Sequence, residues 1–188
     1  MKSSLCQFLW VALLITGSLT LFEAAADDVD VVIGGGIVIS PGYNDVLNDA
    51  YPEYTVTGGY GWMDLLLAVQ FNASEQLAFT AGTDLFFNYV SGDLSFSSTI
   101  VLPSVSVLYK FKQGSSIYVS GQINCGFPSS SSSRIDLESD GVGAGGTIGW
   151  ASGDAFSIEA GYVHVPVTVN DVLSENFGGG FGRCRLTF

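Results

Sequence analysis

From Leu77 to Tyr89 the chain alternates with a period of two. Leu77, Phe79, Ala81, Thr83, Leu85, Phe87 and Tyr89 fall on one side, and Ala78, Thr80, Gly82, Asp84, Phe86 and Asn88 on the other. Such a stretch is a β-strand with two unlike faces, because successive side chains of a strand point to opposite sides. The same period recurs in seven further segments, at about 29–39, 55–71, 99–111, 117–127, 141–150, 156–167 and 178–188. In the last of them Leu186, Cys184, Gly182 and Gly180 alternate with Thr187, Arg185, Arg183 and Phe181, and Phe188 ends the chain. A soluble sandwich turns its charges to water, whereas a membrane barrel turns apolar groups to lipid and polar groups to its lumen. The outward sets here are Val31, Ile33, Ile37 and Ile39, then Met63, Leu65, Leu67, Val69 and Phe71, and their counterparts in later segments. The charged residues fall in the opposite phase.

Eight strands of roughly ten residues suit an antiparallel, up-and-down transmembrane β-barrel, an all-β fold. The links alternate in length. Residues 72–76, 112–116 and 151–155 make short turns, and 40–54, 91–98, 128–140 and 168–176 make longer polar connections. The short turns are expected on the periplasmic side and the long ones outside. Charged residues are only 13% of the chain and Gly is abundant at 24 residues, a balance that favours a membrane β-protein. A net charge of −12 excludes a nucleic-acid partner, because no basic patch meets phosphates. No later segment holds the 18 or more apolar residues of a spanning helix, and helical periodicity is not evident. At the start, Lys2, an apolar run from Leu5 to Phe22 and Ala24-Ala25-Ala26 describe a secretory signal peptide. Cleavage is expected after Ala26, leaving residues 27–188 as one barrel domain.

With these segments in place the chain resembles the small eight-stranded outer-membrane barrels of Gram-negative bacteria, of the OmpA and OmpX type. The resemblance spans residues 27–188 and is one of architecture. It implies location in the bacterial outer membrane, contact with outer-membrane lipid and lipopolysaccharide, and a monomer. In that group a last strand ending in Phe, with apolar residues at alternate positions, is read by the barrel-assembly machinery. By that resemblance Phe188, Leu186 and Cys184 carry the assembly signal.

The inward phase collects few charges: Asp64, Asp84, Lys110, Glu159, Arg183 and Arg185. An eight-stranded interior is just wide enough to be filled by side chains. These six are therefore expected to form a lumen salt-bridge network that blocks flow. If Phe71 pairs with Leu77, Asp64 stands directly opposite Asp84, and the two carboxylates repel unless they share a proton or a cation. The inward face of the sixth segment is nearly all glycine, to be filled by Trp62, Tyr118 or Phe181, or by water. Aromatic residues cluster at strand ends, as interfacial girdles do.

The favoured function is a structural or surface-interaction barrel. A narrow gated channel for ions or small solutes is the alternative, and a lipid-modifying enzyme a distant third. The only histidine, His164, sits in His164-Val165-Pro166, without the serine two residues on that a lipid A deacylase of this architecture carries. No enzyme, metal or cofactor is expected. Cys125 and Cys184 fall in the outward phase on strands that are not neighbours, so no disulfide is expected between them. The outer links hold Asp45, Asp49, Glu53, Asp93, Asp136, Glu138, Asp140, Asp171 and Glu175 against one base, Arg134. They form a solvated acidic surface, or else bind divalent cations through carboxylate oxygens.

Overall fold

The computed structural model describes residues 29–40, 43–54, 56–57, 61–93, 95–113, 115–132, 134–170 and 173–188. The expected signal peptide, Cys6 and Asp171 lie outside them. Eight antiparallel strands close on themselves: β1 Val29–Ile39, β2 Gly61–Asn72, β3 Leu77–Gly92, β4 Phe96–Lys110, β5 Ile117–Cys125, β6 Val142–Ser152, β7 Phe156–Val163 and β8 Gly179–Thr187. Each pairs with its neighbour in sequence, and β8 pairs with β1 to shut the barrel, with Gly36 opposite Arg183. Closure leaves no unpaired edge, the condition for crossing a bilayer with strands.

The outer wall follows the period of two. Ile37, Ile39, Met63, Leu67, Tyr89, Val142, Ile148, Tyr162 and Phe188 are each more than half exposed, while Val32, Val38, Trp62, Leu66 and Phe86 point inward and are buried. Exposed Tyr109, Phe111, Trp150 and Phe188 stand at the end carrying the short turns, and Phe87, Tyr89 and Tyr162 toward the other. Pro103 interrupts β4 on one side only. It pairs with Thr83 of β3, but on the β5 side the ladder stops at Asn124 and resumes where Phe127 faces Val101. A proline has no N–H to give.

Three expectations for the connections are corrected. First, the link after β1 is not merely polar coil: Tyr43–Ala50 forms a helix, α1. Tyr43, Val46 and Leu47 recur at i, i+3 and i+4 and all three are buried, with Asp45 and Asp49 facing out. Asp45 in the first turn also suits the positive end of the helix dipole. Second, the link at 91–98 is not a long loop, because β3 and β4 stay paired up to Val90 and Phe96. Third, β7 ends at Val163 rather than Val167, and Pro166–Val169 leaves the barrel to pair with Leu173–Asn176 and Leu137–Ser139. Two links read as loops are thus a second, three-stranded sheet.

This sheet and α1 make a cap over the end of the barrel opposite the short turns. Val165, Val167, Val169, Ile135, Leu137 and Phe177 pack with Tyr43 and Leu47 and run without a break into Trp62, Phe86, Ile100, Leu102, Val163 and Phe181 of the upper lumen. Tyr43 lies edge-on to Phe177 at 4.8 Å between ring centres and 5.0 Å from Trp62. Its hydroxyl is 3.1 Å from Ser98 Oγ. Burial pushes the Tyr43 phenol up to about 12, the Ser98 bond offsetting part of the effect. At the far end of α1, Tyr51 Oη donates to the Arg134 carbonyl at 2.8 Å and accepts from Asn170 Nδ2 at 2.5 Å, which ties three connections together.

Candidate functional site

Below the cap the lumen is crossed by a belt of charge built mainly on β8. Arg183 Nε donates to Glu159 Oε2 at 2.6 Å, and its Nη1 donates to Asp84 Oδ1 at 2.7 Å and lies 3.6 Å from Asp64 Oδ2. Arg185 Nη1 donates to the other Glu159 oxygen at 2.5 Å, and Nη2 to Gln70 Oε1 at 3.2 Å. Tyr118 Oη donates to Glu159 Oε1 at 2.8 Å and lies 3.1 Å from Ser157 Oγ. Glu159, Asp84, Asp64 and Arg185 are each at most 5% exposed. The Arg183 guanidinium also sits over the Phe181 ring, 5.0 Å from its centre, a favourable cation–π contact.

Backbone register explains how two arginines reach three other strands. Glu159 is the direct cross-strand partner of Arg183. On the other side Arg183 faces Gly36 of β1, and Gly36 in turn faces Asp64 of β2. A Cβ at Gly36 would stand 2.5 Å from the Arg183 Cβ and 2.2 Å from the Gly182 carbonyl oxygen. The missing side chain lets Arg183 lie across β1. The inward glycines of β6 serve the belt likewise. A Cβ at Gly149 would stand 2.1 Å from the Tyr118 ring, so Tyr118 is the residue that fills that face.

The structure brings together five of the six inward charges, Asp64, Asp84, Glu159, Arg183 and Arg185. Lys110 is a correction: it forms none of the ion pairs among the described residues and lines the mouth at the short-turn end. Chain direction is the reason, since Lys110 is the last residue of β4. The direct Asp64–Asp84 pairing is also corrected. Asp64 faces Phe86, and Asp84 faces Leu66. The turn is tighter than its composition suggested: Ser74 and Leu77 exchange backbone hydrogen bonds, and Ser74 Oγ accepts from the N–H groups of Gln76 and Leu77. That slides β3 two residues along β2, and Arg183 then bridges the two carboxylates diagonally. Gln70, Tyr118 and the glycine at 36 were not anticipated as parts of the belt. The signal was there in the inward phase of Gly34 and Gly36, opposite Arg185 and Arg183.

Below the belt the lumen opens into a vestibule of about 720 Å³ at the short-turn end, lined by Asp30, Glu75, Lys110, Asp154 and Arg185 among others. Leu186 and Cys184 face outward on β8, and Phe188, just after it, is 70% exposed. Phe188 also exchanges two backbone bonds with Val31, at 2.9 and 3.0 Å, and so finishes the seam. Cys125 and Cys184 are unpaired thiols, and His164 is exposed, its backbone N–H donating to the Ala144 carbonyl at 2.8 Å.

No family model and no curated protein matches the chain. Among solved structures it is similar to the outer membrane protein OprG from Pseudomonas aeruginosa, with 11% identity over 86% of this chain and 96% of that one and a TM-score of 0.45. It is also similar to Neisserial surface protein A, with 13% identity over 85% and 96% and a TM-score of 0.48. An outer membrane channel from Pseudomonas putida F1 gives 10% identity over 85% and 94%, with a TM-score of 0.34. By its own closed strand order and its apolar wall around a charged lumen, the chain is an eight-stranded antiparallel β-barrel with the architecture of the small outer-membrane barrels of the OmpA and OmpX type.

Proposed function

We propose that this chain is an integral protein of the bacterial outer membrane, a closed barrel whose role is structural and whose outer cap is its contact surface. The observation that carries this reading is the unbroken apolar core joining the upper lumen to the cap, in which Trp62, Ile100, Leu102, Val165 and Phe177 are all 0–1% exposed. A conduit for ions needs a polar path, and such a core is a dewetted obstruction. The barrel works as a monomer in contact with outer-membrane lipid and lipopolysaccharide, and Phe188, Leu186 and Cys184 present it to the barrel-assembly machinery. The vestibule supports a second reading, a narrow channel that conducts when the cap is displaced. A lipid-modifying enzyme is the weaker proposal, because His164 stands without the serine two residues on.

Cell fractionation and planar-bilayer recording test this together. The protein is expected with outer membranes, and the purified barrel is expected to hold a bilayer without steady conductance. Recovery in the soluble fraction removes the membrane reading, and steady conductance by the unmodified chain favours the channel.

A further inference from the structure

The belt occupies only part of the lumen. Its charged side chains stand on β8, β7, β2 and β3, and Tyr118 of β5 joins them from the vestibule end, whereas beyond Ala78, Leu108 and Tyr118 the inward positions of β3 to β5 carry small hydroxyls and amides. Thr80 pairs with Ser106 and Ser106 with Gln122, while Ser104 pairs with Asn124 one rung higher. Thr80 is 8% and Asn124 4% exposed. Thr80 Oγ1 and both polar atoms of the Asn124 amide have no protein partner among the described residues. A buried polar atom left unmet is costly, and three in one arc call for a partner. Thr80 stands one inward position beyond Ala78, which lines the vestibule. Just beyond Asn124 the chemistry changes: Val165, Ile100 and Leu102 crowd the space over Gly126 and are themselves fully buried.

We propose that the β3–β5 arc is a water-binding site. A file of bound water runs from the vestibule past Thr80 to Asn124 and stops beneath Ile100, Leu102 and Val165, so that the permeability barrier is the apolar cap and not the ion-pair belt. Polar sites hold water and apolar ones stay dry, which sets the end of the file where the lining changes. The inference rests on the closed-barrel reading and names where it is closed.

Silver ion, close to water in size, is the probe. Single cysteines are placed at Thr80, Ser104 and Ile100 in full-length protein carrying Cys125→Ser and Cys184→Ser. Ag⁺ is added from the vestibule side, and the thiols left free are then labelled with a maleimide after denaturation. Only protein that migrates as a folded barrel on an unheated gel is scored. T80C and S104C are expected to lose their labelling, and I100C to keep it. Adding Glu159→Gln, which breaks the belt and leaves the cap, is expected to change nothing at I100C, while adding Leu47→Asp exposes it. Unreactive T80C and S104C overturn the water file. Reaction of I100C with the cap intact, or its protection in folded Leu47→Asp protein, overturns the cap as barrier; if I100C does not fold, L102C takes its place. Conductance by the unmodified barrel is a separate readout and sinks the closed-barrel reading instead.

Discussion

Arg183 holds three carboxylates with one guanidinium, and the belt has three acids for two bases. The excess acid is Asp64, which has the longest contact, 3.6 Å, and an Oδ1 without a partner among the described residues. Neutral variants should therefore rank. Glu159→Gln weakens both arginine pairs at once and should cost about 3–5 kcal/mol, the usual loss on breaking a buried ion pair. Asp84→Asn should cost less, and Asp64→Asn, which evens the charge count, should be nearly neutral. Urea titration of the folded band on unheated gels measures the order, and a loss at Asp64→Asn as large as at Glu159→Gln contradicts it. Gly36→Ala is a further residue-scale case. The added methyl meets the Gly182 carbonyl and the Arg183 stem, so a loss of about 1–3 kcal/mol is expected from overpacking. The same titration reads it.

At the scale of elements, the strands and the cap differ in how far the sequence announces them. Strands β1 to β8 were legible because lipid demands an apolar residue at nearly every outward position, which writes the period of two plainly. Strand pairing was less so. A turn with Ser74 Oγ gathering two N–H groups shifts the register by two residues without changing the phase, and phase is all that a pattern reports. The cap was hidden because Pro166–Val169 keeps the alternation of β7 and reads as its continuation. Two turns of α1 likewise supply too few apolar positions to reveal a period. Two outcomes test the cap as a packed unit. Leu47→Ala should cost about 2–5 kcal/mol of cap stability, as large-to-small core changes do. Hydrogen exchange should quicken in Leu137–Ser139 and Pro166–Val169 while β1 to β8 stay protected. The second is a pH effect at Tyr43. Its phenol ionises near 12 in the folded cap and near 10 once exposed. The folded form then keeps its proton where the unfolded form loses it, so stability is complete below about pH 10 and falls as pH rises toward 12. Tyr43→Phe should lessen that decline, measured by cap exchange rates between those two pH values.

For the whole molecule, one strand connects wall, lumen and seam. β8 presents Cys184 and Leu186 outward, carries Arg183 and Arg185 inward, and pairs with both β7 and β1. The residue that follows it, Phe188, divides into two separable parts. The Phe188 backbone bonds Val31 twice, and any residue there except proline can keep those bonds. The ring is 70% exposed and packs little against the barrel itself. If the ring acts in assembly, Phe188→Ala should leave the stability of the finished barrel within about 0.5 kcal/mol, as surface changes away from special features do. It should nonetheless lower the amount of folded protein reaching the outer membrane. Refolding into detergent, where no assembly machinery acts, should proceed equally well for both chains. Equal delivery of the two proteins in cells would remove the assembly role from Phe188. Equal losses in cells and in detergent would place the ring's contribution in the barrel's own stability.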